Sequence, residues 1–194
     1  MTLANPRARH NLPRLFLVSD EARQSDVVVA ARRLGRGSGV ILRHYGLPGR
    51  AALAEQLAQV AQARRLVLLV AADWRLAARV GAAGIHVPEA MARHGVLAPL
   101  LGWVRRRGAI LTIAAHSPAA MARARRLGAA AAIVSPVFAT ASHPGNPTIG
   151  ATRFALWSRR AEVPVVALGG MGPATWRRLG GARVAGMAAI GALS

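Results

Sequence analysis

The sequence predicts an α/β chain folded as a (β/α)8 TIM barrel, short for its class and with the eighth helix reduced or absent. Three observations predict it. Short runs rich in Val, Ile and Leu recur eight times along 194 residues. Helix-like segments separate these runs, and that alternation marks parallel β/α units whose strands are buried on both faces. The composition, 53% hydrophobic and 17% charged with a mean hydropathy of +0.31, suits one compact domain over 1–194 with a large aliphatic core. About 250 residues is typical of the barrel, so an open, doubly wound sheet stands as the second architecture.

In chain order, strands are expected over 14–19, 39–43, 65–70, 84–87, 109–113, 131–135, 164–168 and 186–190. Apolar residues spaced three and four apart predict helices over 50–63 and 118–127, the second entered through Ser117 as its N-cap. Gly81, Gly108 and Gly128 each precede a strand, where glycine suits the left-handed end of a helix. The likeness of Gly81-Ala-Ala-Gly84 to Gly128-Ala-Ala130 predicts a repeated helix-to-strand joint. After the last strand too few residues remain for a full helix.

Composition removes several chemistries. All 26 basic residues are arginine, against seven acids and a net charge of +19. Without lysine there is no Schiff base and no P-loop. Without cysteine there is no thiol nucleophile, iron–sulfur cluster or disulfide. The segment 1–14 is polar, and no apolar run is long enough to cross a membrane. The expectation is a cytoplasmic chain with no membrane partner.

In a parallel barrel the residues after each strand converge on the C-terminal rim. That rule collects Asp20, Arg43, His44, Asp73, His86, Glu89, His116, the loop 135–150, Gly169-Gly170 and Gly191. The loop carries Thr140, Ser142 and His143 among Pro and Gly breakers, and reads as a binding loop or as an ordinary connection. Gly169-Gly170 follows the seventh strand and Gly191 the eighth, where this fold builds phosphate cradles from backbone N–H groups. His116 follows the fifth strand, placed either to move a proton or to bond backbone. His86 lies inside a strand and reads as a packed histidine; His10 and His94 fall outside the rim. The acids near the rim, Asp20, Asp73 and Glu89, share no ligand spacing, so no metal site and no cofactor are expected. Arg43 is the side chain best placed to hold an anion.

These residues resemble the thiamine phosphate synthase/TenI family of barrels. The resemblance runs nearly end to end, through Leu15-Phe-Leu-Val-Ser-Asp20, Ile41-Leu-Arg43 and Val80-Gly-Ala-Ala-Gly-Ile-His86. Its most specific parts are Ala115-His-Ser117, Ser135-Pro-Val-Phe-Ala-Thr140 and Ala167-Leu-Gly-Gly-Met171. The family's synthases join a pyrimidine diphosphate to a thiazole phosphate with Mg²⁺, and their matching positions are altered here. Gln-Leu-Arg-Glu-Lys reads Ile41-Leu-Arg-His-Tyr45, Asn-Asp falls on Ala71-Ala72 with Asp73 one residue away, and the second metal aspartate is Met91. The first serine of Ser-Thr-His-Ser is Ala114, and the loop lysine is His143. The phosphate half is kept in Thr140, Ser142, Gly169, Gly170, Ile190 and Gly191, with Arg43 and His143 as further substrate contacts. This asymmetry is similar to the thiazole tautomerase branch, which implies a metal-independent isomerase acting on a thiazole phosphate with His116 as acid/base.

Two other readings accompany it: a diverged synthase recruiting Asp73, Glu89 or His143, and a non-catalytic binder of phosphate ligands. The arginine content raises nucleic-acid binding as well, but no recognition motif is present and no specific nucleic-acid partner is expected. Apolar outer helices allow a homodimer.

Overall fold

The computed structural model describes residues 12–21, 26–140, 145 and 147–190. Eight parallel strands close in sequence order into a barrel: β1 (Leu15–Val18), β2 (Gly39–Leu42), β3 (Val67–Ala71), β4 (Gly84–Val87), β5 (Ile110–Ala115), β6 (Ala131–Val134), β7 (Val165–Leu168) and β8 (Gly186–Ile190). The seam pairs Leu15 with Met187 through to Val18 with Ile190. Between the strands run α1 (Val27–Arg32), α2 (Arg50–Arg64), α3 (Trp74–Arg79), the pair α4 (Glu89–His94) and α5 (Ala98–Arg107), α6 (Pro118–Arg126), α7 (Ala151–Arg160) and α8 (Pro173–Arg177). Among the described residues no helix follows β8. None is long and apolar enough to cross a membrane.

Alternation within each strand builds two layers of core. Phe16, Val18, Ile41, Leu69, Ala71, Ile133 and Val166 fill the barrel interior. Their neighbours Leu17, Val40, Leu42, Leu68 and Val70 pack outward with the helices. Both strand faces are dry, which is why these segments read as continuous apolar runs.

The expected joint recurs at four helix ends. Ala82, Ala109 and Ala129 donate backbone hydrogen bonds to Ala77, Val104 and Ala124, each just after a glycine of positive φ at 81, 108 or 128. Leu66 closes α2 onto Ala61 in the same way, with Arg65 in the left-handed conformation at φ 55°. Arg65 therefore ends a helix, and β3 starts at Val67, two residues later than its apolar run suggested. β5 extends to Ala115, so His116 leaves directly from a strand end.

Helix starts follow the same local rules. Asp26, Asp73 and Ser117 accept from the backbone N–H groups of Val29, Leu76 and Ala120 at 2.9, 2.9 and 3.2 Å, satisfying donors with no partner inside the helix.

Candidate functional site

A cavity of about 560 Å³ opens at the C-terminal rim. Its apolar floor is made by Val18, Ile41, Ile133 and Leu168, from the ends of β1, β2, β6 and β7. Its polar wall consists of Arg43, Tyr45, His86, Glu89, Arg93, His94, His116 and Ser135.

His116 is oriented by its neighbours. Its Nδ1 lies 2.7 Å from the Ser135 carbonyl oxygen, which can only accept, so Nδ1 carries a proton and Nε2 is the basic nitrogen of the neutral ring. Its backbone N–H donates to Glu89 Oε2 at 2.7 Å, and the same oxygen stands 4.0 Å from Nε2. Glu89 opens α4 just after β4, and β4 pairs with β5. Neighbouring strands thus bring together a carboxylate and an imidazole 27 residues apart in sequence.

Arg43 lines the wall with its guanidinium 3.9 Å from Asp20. Its backbone N–H donates to Ser19 Oγ at 2.8 Å, and Ser19 Oγ bonds His44 Nδ1 at 2.8 Å. His44 is therefore a buried support for the β2 turn. Burial holds its pKa below the usual histidine value.

His86 is packed, as expected for a strand histidine, with Nδ1 3.0 Å from Thr112 Oγ1. Burial, with a smaller contribution from the Arg43 guanidinium, pushes its pKa down to about 3 from 6.5. The unfolded chain protonates this ring below its ordinary pKa, whereas the folded chain refuses the proton until about pH 3. Stability is then lost as pH falls through that window, at a slope approaching about 1.4 kcal/mol per pH unit. His86→Gln is expected to flatten this loss, measured as urea midpoints at about pH 7 and about pH 4.5.

One expectation changes. His94, placed outside the rim by its sequence position, is exposed on the cavity wall, because α4 is a separate short helix lying over the rim. Arg93 beside it and Arg50 were not singled out. Arg50 donates from Nη2 to the Ala71 carbonyl at 2.5 Å, lies 3.8 Å from Asp73 and stacks near the Tyr45 ring at 5.8 Å. Asp73 itself caps α3.

This arrangement bears on the Mg²⁺ that the resemblance to synthases implies. The matching positions hold Ala71, Ala72 and Met91, and a guanidinium already occupies the Ala71 carbonyl. Among the described residues no group of three or more His, Cys, Asp or Glu is gathered to hold a metal ion. The donor set does not fit the ion.

Gly169 and Gly170 follow β7 with φ of 97° and 61°. A Cβ on Gly169 would stand 2.8 Å from Pro136 Cα, and one on Gly170 would stand 2.4 Å from the Ala139 carbonyl oxygen. Phe138 N–H donates to the Gly169 carbonyl at 3.0 Å, and Thr175 Oγ1 donates to that of Gly170 at 2.8 Å. The glycines therefore let the β6–α7 loop lie directly on the β7–α8 loop. Among the described residues none accepts a hydrogen bond from their own amides. Thr140 is half-buried in the same loop and Ile190 ends β8. Ser142, His143 and Gly191 lie outside the described residues.

A family model described as thiamine monophosphate synthase matches residues 15–193. The "Putative thiamine-phosphate synthase 2" of Aquifex aeolicus (strain VF5) is 28% identical over 173 residues, 87% of this chain and 89% of that protein. Among solved structures, a thiamine phosphate pyrophosphorylase from Pyrococcus furiosus superposes with a TM-score of 0.70 at 20% identity, covering 96% of this chain and 88% of its own. The YdjI aldolase of Escherichia coli K12 gives 0.62 at 11% identity, covering 97% and 78%. At such identities the structural likenesses speak for the barrel alone.

Proposed function

Because the chain belongs to the thiamine monophosphate synthase family, we propose that it binds a thiazole phosphate at the barrel rim and moves a proton on it with His116, without a metal ion. The observation that carries this reading is the tautomer of His116. With Nδ1–H donated to the Ser135 carbonyl, Nε2 is left as a base, and Glu89 Oε2 at 4.0 Å stabilises the imidazolium that forms. Nε2 takes a proton from one carbon of a non-aromatic thiazole carboxylate tautomer and returns it to another carbon. The ring becomes aromatic, and no other bond to a heavy atom forms or breaks.

The phosphate is assigned to the amides of Gly169 and Gly170 with Thr140, Ser142, Ile190 and Gly191, because backbone N–H groups after β7 and β8 favour an anion. Arg43 and His143 are assigned to the substrate's other acidic group.

Glu89→Gln separates charge from hydrogen bonding, since the amide oxygen still accepts from the His116 N–H. The pair is partly exposed, so solvent screens it. Isomerisation is expected to slow by about two- to fivefold. An unchanged rate would remove the carboxylate from the mechanism.

The names of the relatives favour a second reading, a diverged synthase in which Arg43 and Arg93 stand in for a metal against diphosphate. It requires pyrophosphate release when both substrates are supplied. Release at a rate exceeding isomerisation would make it the better account.

A further inference from the structure

In a closed parallel barrel the helices that lead directly into a strand end on the face opposite the rim. On that face α5 ends in Arg105-Arg106-Arg107, α6 in Arg125-Arg126 and α7 in Arg159-Arg160, while Arg183 precedes β8. These elements lead into β5, β6, β7 and β8, consecutive around the barrel, so their arginines form one continuous ridge. All of them are exposed. Along the ridge, Glu162 is the one acid among the described residues, 3.5 Å from Arg125.

At the rim, Arg43 faces Asp20 and Arg50 faces Asp73. A chain-wide preference for arginine accounts for the number of guanidinium groups, but it does not by itself place eight of them on four consecutive elements beside a single acid. The helix dipole favours a cation at each C-terminus within the last turn. It does not account for a triplet, nor for Arg183, which lies on no helix. The ridge is also grooved. Arg159, Arg160 and Arg183 line a cleft of about 510 Å³, and Arg125, Arg126 and Arg160 line another of about 380 Å³.

We propose that this ridge binds the phosphate backbone of duplex nucleic acid without reading its sequence. Guanidinium groups match phosphate oxygens bidentately, and an exposed row of them facing a single acid suits a polymer of regularly spaced anions. None of the large exposed apolar side chains (Val29, Tyr45, Leu47, Val96, Leu156, Trp176) is on the last turn of α5, α6 or α7. Trp157, on the last turn of α7, lines the smaller cleft but is half-buried, so the ridge offers no fully exposed apolar wedge for a bilayer or ring for stacking unpaired bases. It lies away from the rim cavity and does not depend on the thiazole-phosphate reading.

The test is fluorescence anisotropy of a labelled mixed-sequence DNA duplex titrated with the native chain over a range of salt. Two double variants that remove equal charge are compared: Arg126→Gln/Arg160→Gln on the ridge and Arg75→Gln/Arg153→Gln at the rim-side ends of α3 and α7. Native binding should weaken with salt at a log–log slope steeper than about −3.5, the mark of about four or more phosphate contacts. The ridge double should weaken binding about tenfold or more and flatten the slope by about two, while the rim double changes it less than about twofold. Equal losses in the two doubles would reduce the effect to net charge and overturn the proposal. So would the absence of saturable duplex binding, or binding to phosphatidylserine vesicles alone. If the ridge double does not fold, the single variants Arg126→Gln and Arg160→Gln are compared with Arg75→Gln and Arg153→Gln, and equal losses again overturn the proposal.

Discussion

His116→Ala should abolish isomerisation of a thiazole carboxylate phosphate while leaving the phosphate ligand bound. Loss of a positioned acid/base group costs about 10²- to 10⁴-fold in rate, and with Nε2 gone the wall offers no equivalent. His86 is neutral and tied to Thr112 with its pKa at about 3, and the buried His44 is held by Ser19. His94 lines the same wall from α4, but it is exposed and is not the ring that the Ser135 carbonyl orients. Because the His116 side chain is about half exposed, its removal should change stability by no more than about 0.5 kcal/mol. The checks are single-turnover isomerisation beside calorimetric binding of thiazole phosphate. Turnover within about tenfold of the native rate would take the proton transfer away from His116.

Gly169→Ala should damage both binding and fold. At φ 97° an L-residue is strained by about 1–3 kcal/mol, and the new methyl would meet Pro136 Cα at 2.8 Å. The β6–α7 loop must then lift from the β7–α8 loop, breaking the Phe138 N–H to Gly169 carbonyl hydrogen bond of 3.0 Å. A melting temperature lowered by several degrees and phosphate affinity lowered at least about tenfold are expected, since about 1.4 kcal/mol is tenfold. A variant with native affinity would show that the glycines serve loop packing and take no part in holding the phosphate.

The barrel was legible because strands dry on both faces read as uninterrupted apolar runs, and because the glycines at 81, 108 and 128 punctuate helix ends. Arg65 misled the start of β3: nothing local marks an arginine that adopts a left-handed conformation. The rim was legible from strand ends alone, so His116, Glu89 and Arg43 could be collected before any distance was known. Their partnership was not stated, although the adjacency of β4 and β5 in a barrel would have supplied it. Arg50 and Arg93 stood outside the strand-end rule, one on the first turn of α2 and the other on α4, and their positions depend on tertiary packing. The reason for Gly169 and Gly170 was only half visible, since their contact with 136–139 joins two loops more than 30 residues apart. The arginine ridge, spread over the sequence, becomes one surface only when α5, α6 and α7 stand side by side.

The central claim is proton transfer at His116 without a metal ion. Its most direct test is turnover of thiazole carboxylate phosphate by the native chain in deuterated water, followed by NMR with a chelator in excess and again with added Mg²⁺. Metal-independent proton transfer predicts the same rate in both, with deuterium incorporated at the carbon that receives the proton. Turnover that stops with the chelator and returns with Mg²⁺ would contradict it.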